Sequence, residues 1–403
     1  MTRSRVLHLI PFPIENARHG GQIRARETNA VLRNAGFEIT TMEIFDASAY
    51  SPHIPAVDLS DALSTGEWEL DWRLRDYIIG AALAQDDAAF ADFVSKIPSD
   101  IDLIVLEEPW FGPAVLRLRK DGHTSAPIIF NSYNVEYIAK ANILRETDLD
   151  SKKYTQQIKA VERSLVRRAA VCTVVTENDA DLYSKFGGSE IVIAPNGTIR
   201  RKMSHLKGVR YHGIDPNSEY ALFVGSAHPP NVAGFRELIL ESLEALQSHQ
   251  RIVVAGNVCD PLYQIVVGSE RPRICRDRLS LVGQVSEFEL SALIANASAI
   301  LLPITYGGGS NLKTAEALVS GKVVVGTRQA FRGYEAYLDA PGVILADTLP
   351  DFKAAVRRAL DATRSEPIVR SGVEELLWCS TLQPIASAAQ RLLYGKGRGL
   401  AAA

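Results

Sequence analysis

The chain is poor in cysteine. Of 403 residues only Cys172, Cys259, Cys275 and Cys379 are cysteines, and no two stand at C-x-x-C spacing. That excludes a disulfide framework and a cysteine-based zinc site, and it fits a reducing compartment. Long hydrophobic runs are also missing. No stretch of ~20 apolar residues occurs, so nothing reads as a membrane span. The apolar run near the start is cut off at Pro11 and Pro13, which is too short for a secretory core. A cytoplasmic protein is expected, with room for peripheral contact at the inner membrane face. Nor is there an excess of charge of one sign. Lys and Arg number 44 against 47 Asp and Glu, a net charge of −3, which argues against nucleic acid as a partner. Tandem repeats and low-complexity tracts are absent.

What is present suits a globular protein with full cores. Hydrophobic residues make up 46% and charged residues 23%, and this length predicts two domains. Near-continuous Val/Ile/Leu runs recur at 5–12, 37–45, 101–107, 127–133, 171–177 and 190–195, and again at 220–226, 251–257, 279–285, 298–304, 322–327 and 342–347. Segments of helical spacing separate them. Unbroken apolar runs mark strands of a parallel sheet covered on both faces. The expected class is α/β, two Rossmann-like doubly wound domains facing each other across a cleft. We expect a first domain at 1–198, a linker at 199–219, a second domain at 220–381, and a C-terminal helix at 382–396 returning to the first. The linker is polar and carries Arg200, Arg201, Lys202, Lys207, Gly208, Arg210, Gly213 and Pro216.

The segment 304–327 carries the most chemistry. An expected strand ends at Ile304, three glycines follow at Gly307, Gly308 and Gly309, and a helix runs from near Ser310 to Gly321. Glycines before a helix N-terminus let free N–H groups approach an anion such as phosphate. Lys313 lies in the first helical turn, where the dipole disfavours a cation, and an anionic ligand would offset that cost. Glu316 shares its face, and a carboxylate there can accept hydroxyl hydrogen bonds from a ribose. The plainer reading is a Lys313–Glu316 surface pair worth ~0.3 kcal/mol.

These residues, G-G-G-S-N-L-K-x-x-E-A-L-x-S-G-K, resemble the donor-binding signature of retaining glycosyltransferases of the GT-B fold, similar to glycosyltransferase family four. Phe223–Asn231 resembles the opening strand and loop of the donor domain, and Leu281–Val285 the strand end facing the base. Asn131–Tyr137 resembles the D-x-H-N-V-E-Y segment, Ala194–Gly197 the V-P-N-G turn, and His19–Gly21 the first glycine loop. The resemblance implies transfer of a sugar from a nucleoside diphosphate-sugar to a glycan, lipid-linked or small-molecule acceptor. Configuration would be retained, with no metal and no cofactor beyond the donor itself. It implies that Glu316 holds the ribose and Lys313 the departing diphosphate. Gly225, Ser226, Gly256, Val282, Gly283, Gly308, Gly309, Ser310, Asn311 and Leu312 would line the donor.

Gly20, Gly21, Asn134 and Glu136 are candidates for the acceptor side, and Tyr133 and Glu108 for catalysis. Glu107, Glu108 and Glu136 are each read either as an acceptor contact or base, or as a helix-entry cap or salt-bridge partner. Three positions depart from the family pattern. Gly308 stands eight residues before Glu316 where many relatives carry an acid, Tyr133 replaces a histidine, and Ser226 replaces a basic residue. These departures motivate the alternative of a non-catalytic nucleotide-sugar-binding or partner-regulating protein on the same fold. Asn231 is expected to be an N-cap and Asn196 a turn residue. Trp68, Trp72 and Trp110 are expected in the core or on the acceptor side. The basic segment 151–170 reads as a solvated helix face or a surface for anionic lipid headgroups.

Overall fold

The computed structural model describes residues 4–17, 19–46, 73–145, 147–202, 206, 214, 218–308, 310–361 and 367–395. Gly309, Trp68, Trp72, and Lys207, Gly208, Arg210, Gly213 and Pro216 of the expected linker lie outside the described residues. The chain divides into two compact units, Met1–Pro195 with Thr381–Ala403, and Asn196–Ser380.

The first unit holds a six-stranded sheet. Its strands are β1 Arg5–Ile10, β2 Glu38–Glu43, β3 Leu103–Glu107, β4 Ile128–Asn131, β5 Val171–Val174 and β6 Ile191–Ile193. They lie in the order β2-β1-β3-β4-β5-β6, all parallel. β3 and β4 are buried along their whole length, as unbroken apolar runs demand. The C-terminal helix Gln383–Tyr394 packs Ile385, Ala386, Ala388 and Ala389 inward. Its Tyr394 stacks on Phe37 at 6.3 Å between centroids and donates to Ser4 Oγ at 3.0 Å.

The second unit holds β7 Glu219–Val224, β8 Gln250–Ala255, β9 Leu279–Gly283, β10 Ala299–Leu302, β11 Val323–Gly326 and β12 Val343–Leu345. The order is β12-β11-β10-β7-β8-β9, again parallel. Alternate residues of β7 feed two cores. Ala221 and Phe223 meet Phe352 and Val356 on one face, and Tyr220 and Leu222 meet Leu318 and Phe331 on the other. Each such fully buried side chain contributes ~1.5–3 kcal/mol.

In both sheets strand order reverses at one place, between β1 and β3 in the first and between β7 and β10 in the second. Loops leaving the carboxyl ends of two such neighbours diverge and leave a crevice, which is where open α/β sheets bind ligands. The helix expected from Asn231 begins earlier, at Pro229, and Phe235–Ile239 is a π-helical turn. Gly234 explains the tight packing there, since a Cβ at this position would lie 1.6 Å from the Pro303 carbonyl oxygen.

Candidate functional site

In the second unit the switch point is built from backbone brought very close. Gly225 N donates to Ala255 O at 2.9 Å, and Gly256 N donates to Gly283 O at 2.7 Å. Gly256 has φ 101°, and a Cβ on it would lie 2.1 Å from Gly225 O, so only glycine fits. Val282 is half-buried on β9. After β7, Ser226 accepts from Asn231 Nδ2 through its carbonyl at 2.8 Å and its hydroxyl at 3.2 Å.

Across the switch point, the loop after β10 leads into the Leu312–Val319 helix. Asn311 caps it, its Oδ1 accepting from Lys313 N at 3.4 Å. Ala315, Ala317 and Leu318 bury the other face. The loop is tied down on several sides. Asn196 donates through N and Nδ2 to Ser310 Oγ and O at 3.2 and 3.1 Å, and Tyr334 Oη donates to Asn196 O at 2.8 Å. Gln329 Nε2 donates to Gly307 O at 3.3 Å and Arg332 Nη2 to Gly308 O at 2.6 Å. Within this well-anchored loop, two buried polar atoms, Asn311 Nδ2 and Thr305 Oγ1, have no hydrogen-bond partner among the described residues. Unpaired buried polar groups cost about 1–3 kcal/mol each, and Asn311 is the cap of the Leu312–Val319 helix, at the end where free N–H groups favour an anion.

Lys313 Nζ donates to Asn231 Oδ1 at 2.7 Å. Burial lowers its pKa from 10.5 to about 8, against the opposing pull of Glu316. One of its three protons is thus engaged by Asn231. Burial and the Lys313 charge likewise depress His228. Asn231 is therefore not an N-cap. His228 occupies that place, and the Asn231 amide, oriented by Ser226, holds the lysine. The plainer reading, a Lys313–Glu316 surface pair, is not what forms. Glu316 Oε1 accepts from Arg201 Nε and Nη2 at 3.1 and 2.7 Å. Leu312 is the first helical residue.

The first unit closes its polar groups on one another. Gly20 and Gly21 open the Gly20–Asn34 helix, capped by His19, whose Nδ1 accepts from Gln22 N at 3.4 Å. Tyr133 is buried, and its hydroxyl donates to Glu107 Oε2 at 2.5 Å. That oxygen also accepts from Asn131 Nδ2 at 2.8 Å, while Oε1 lies 2.5 Å from His8 Nε2. Burial and the Glu107 charge push the Tyr133 phenol well above its ordinary pKa. Both groups are committed to this network: Tyr133, a catalytic candidate from the sequence, is a buried donor, and Glu107 is the central acceptor, paired with His8 as its salt-bridge reading expects. Arg24 completes the network through Asn131 Oδ1 at 3.1 Å and Ala194 O at 2.7 Å.

Glu108 stands apart at φ 59°, a conformation rare outside glycine. Its Oε2 accepts from Trp110 Nε1 at 2.5 Å. Desolvation, then Glu136 and Asp76, raise its pKa well above the carboxylate range. Glu136 is buried, accepts from Asn134 Nδ2 at 3.1 Å, and is raised by desolvation. Trp110 is only 2% exposed and belongs to the core. In the Ser151–Val166 helix, Lys152, Lys153, Lys159 and Arg163 are exposed while its acid, Glu162, is buried.

The structural roles of Arg201, read only as a linker residue, and of Asn231, Asn196 and His8 are not signalled by the sequence. Their partners lie 115, 82, 114 and 99 positions away, and no local spacing signals such contacts.

Residues 218–362 match the family model for group 1 glycosyl transferases. No curated protein sequence matches the chain. Among solved structures it is similar to an α,α-trehalose-phosphate synthase (UDP-forming) from Burkholderia xenovorans in complex with glucose-6-phosphate, at 14% identity and TM-score 0.66 over 97% of this chain and 100% of that one. It is similar to a sucrose-phosphate synthase from Thermosynechococcus elongatus at 14% identity and TM-score 0.62, covering 97% and 95% of the two chains. WaaG, a glycosyltransferase involved in lipopolysaccharide biosynthesis, aligns at 15% identity and TM-score 0.59 over 97% and 100%. The fold is the two-domain α/β fold of these GT-B enzymes.

Proposed function

We propose that this protein is a metal-independent glycosyltransferase. It moves a sugar from a nucleoside diphosphate-sugar to a hydroxyl of a glycan, lipid-linked or small-molecule acceptor, with retention at the anomeric carbon. The observation that carries the reading is the anion-ready end of the Leu312–Val319 helix. There a lysine ammonium, helix N-terminal N–H groups and two polar atoms without a hydrogen-bond partner among the described residues, Asn311 Nδ2 and Thr305 Oγ1, follow β10. The group 1 glycosyl transferase match spans that segment.

In this reading the diphosphate sits over Ser310–Lys313, and Glu316 receives the ribose. As the bond from the anomeric carbon to phosphate oxygen breaks, charge grows on the phosphate, and the fixed donors and Lys313 stabilise it. The acceptor oxygen bonds to the same face of that carbon, and its proton passes to the departing phosphate. Glu108 and Glu136, with Asn134, Gly20 and Gly21, are assigned to the acceptor side. The exposed lysines of Ser151–Val166 support peripheral contact with anionic lipid, and co-sedimentation with phosphatidylglycerol vesicles tests it. A cytoplasmic site of action accords with this.

The test is a thermal-shift panel of UDP-, GDP-, ADP- and dTDP-sugars, followed by transfer and donor hydrolysis with and without EDTA. One donor should raise the melting temperature. Turnover should survive EDTA and be largely lost in Lys313→Ala and Glu316→Ala. No stabilising donor, or full turnover in both variants, would overturn the assignment. Binding without turnover over a broad acceptor panel would favour the non-catalytic reading, for which Ser226 and the sequestered Tyr133 hydroxyl speak.

A further inference from the structure

We infer that Arg201 is a positioning residue for the donor ribose: its guanidinium holds one oxygen of Glu316 and so presents the other to the ribose diol. The inference rests on the reading that Glu316 receives the ribose.

Both bonds from Arg201 fall on Oε1. This is not the fork that engages both carboxylate oxygens. Oε2 takes no hydrogen bond among the described residues, and a carboxylate oxygen can accept from two hydroxyls. The guanidinium is itself held from behind. Nη1 donates to Glu287 Oε2 at 2.7 Å and to Ser291 Oγ at 3.0 Å, both on the Glu287–Asn296 helix. The side chain is 10% exposed.

The main chain entering Arg201 is fixed too. Thr198 N donates to Leu376 O at 2.8 Å, Trp378 N donates to Thr198 O at 3.1 Å, and Arg200 pairs with Glu374. Burial works against the Arg201 charge, but Glu316 and Glu287 hold it above the ordinary arginine range, so it stays a cation.

The experiment measures binding of UDP, GDP and ADP by calorimetry, then compares the tightest with its 2′,3′-dideoxy counterpart. The wild type should prefer the ribo form about tenfold, and Glu316→Gln should abolish that preference. Arg201→Ala and Arg201→Gln should abolish it equally while leaving dideoxy affinity within about twofold of wild type, and Arg201→Lys should restore part of it. A merely structural arginine would weaken both ligands alike, which would overturn the proposal. Tighter binding in Arg201→Ala would make the guanidinium an occluding plug and also overturn it. If Glu316→Gln abolishes the preference and the Arg201 variants keep it, positioning alone fails. If the wild type shows no preference, or Glu316→Gln retains it, the ribose reading fails and takes the proposal with it.

Discussion

The carboxyl ends of β1, β3 and β4 and the start of the Leu312–Val319 helix both gather charged and hydroxyl-bearing side chains at a sheet's switch point. They use them in opposite ways. In the first unit Glu107 collects His8, Asn131 and Tyr133, and the remaining members close on Arg24. Both Glu107 oxygens, the Tyr133 hydroxyl and the Asn131 amide are engaged, while His8 Nδ1 has no hydrogen-bond partner among the described residues. In the second unit each contact stops short. Lys313 gives one proton to Asn231, Glu316 gives one oxygen to Arg201, and Asn311 Nδ2 has no partner among the described residues. A buried network whose acceptors are filled rigidifies a fold; under the proposed function the donor fills the second one.

The contrast can be broken at either end. The largest effect is expected for Glu107→Ala, which strands three buried polar groups and should cost about 3–5 kcal/mol in urea unfolding. A loss under ~1 kcal/mol would mean the network is not closed. Lys313→Ala should do the reverse. Turnover should fall about 100-fold, while the melting temperature holds or rises because a desolvated ammonium is removed. Unfolding of that variant at wild-type turnover would invert the comparison.

Asn231→Ala should lower turnover about tenfold by releasing the lysine, read from initial rates at saturating donor. Tyr133→Phe should cost about 1 kcal/mol of stability and leave turnover near wild type. A larger kinetic defect would give that hydroxyl back a role in the reaction. The smallest effect is in pH. Lys313 is depressed to about 8, so it is charged below that value and neutral above it. Diphosphate affinity should therefore decline as pH rises through about 8, and the decline should be absent in Lys313→Met. An affinity flat to pH 9 would show that the ammonium is not part of the anion site.

The central strands were legible because burial on both faces leaves unbroken apolar runs, while β2, β6, β9 and β12 are only partly buried; each of the twelve overlaps an expected run, β7 and β8 starting one residue earlier. The Leu312–Val319 helix was legible from its glycines and the stop at Gly321; its Asn311 cap was not. What sequence could not show is how side chains meet across the fold. Asn231 after two prolines reads locally as a cap, and only packing against the β10 side reveals it as the partner of a lysine 82 residues away. Arg201 sits in a polar stretch indistinguishable from a linker. Tyr133 looked like a weakened histidine because nothing in its neighbourhood signals Glu107, 26 residues earlier.

Gly234 gauges a distance. Its bare α-carbon lets the Pro229–Gly234 turn settle against the Pro303 carbonyl, and that seating carries the Asn231 amide to within reach of the ammonium. A methyl group there would lift the whole turn like a shim under a hinge plate. The lysine would then lose its acceptor although neither member of the pair had been altered, making position 234 a remote adjuster of how firmly the protein grips negative charge.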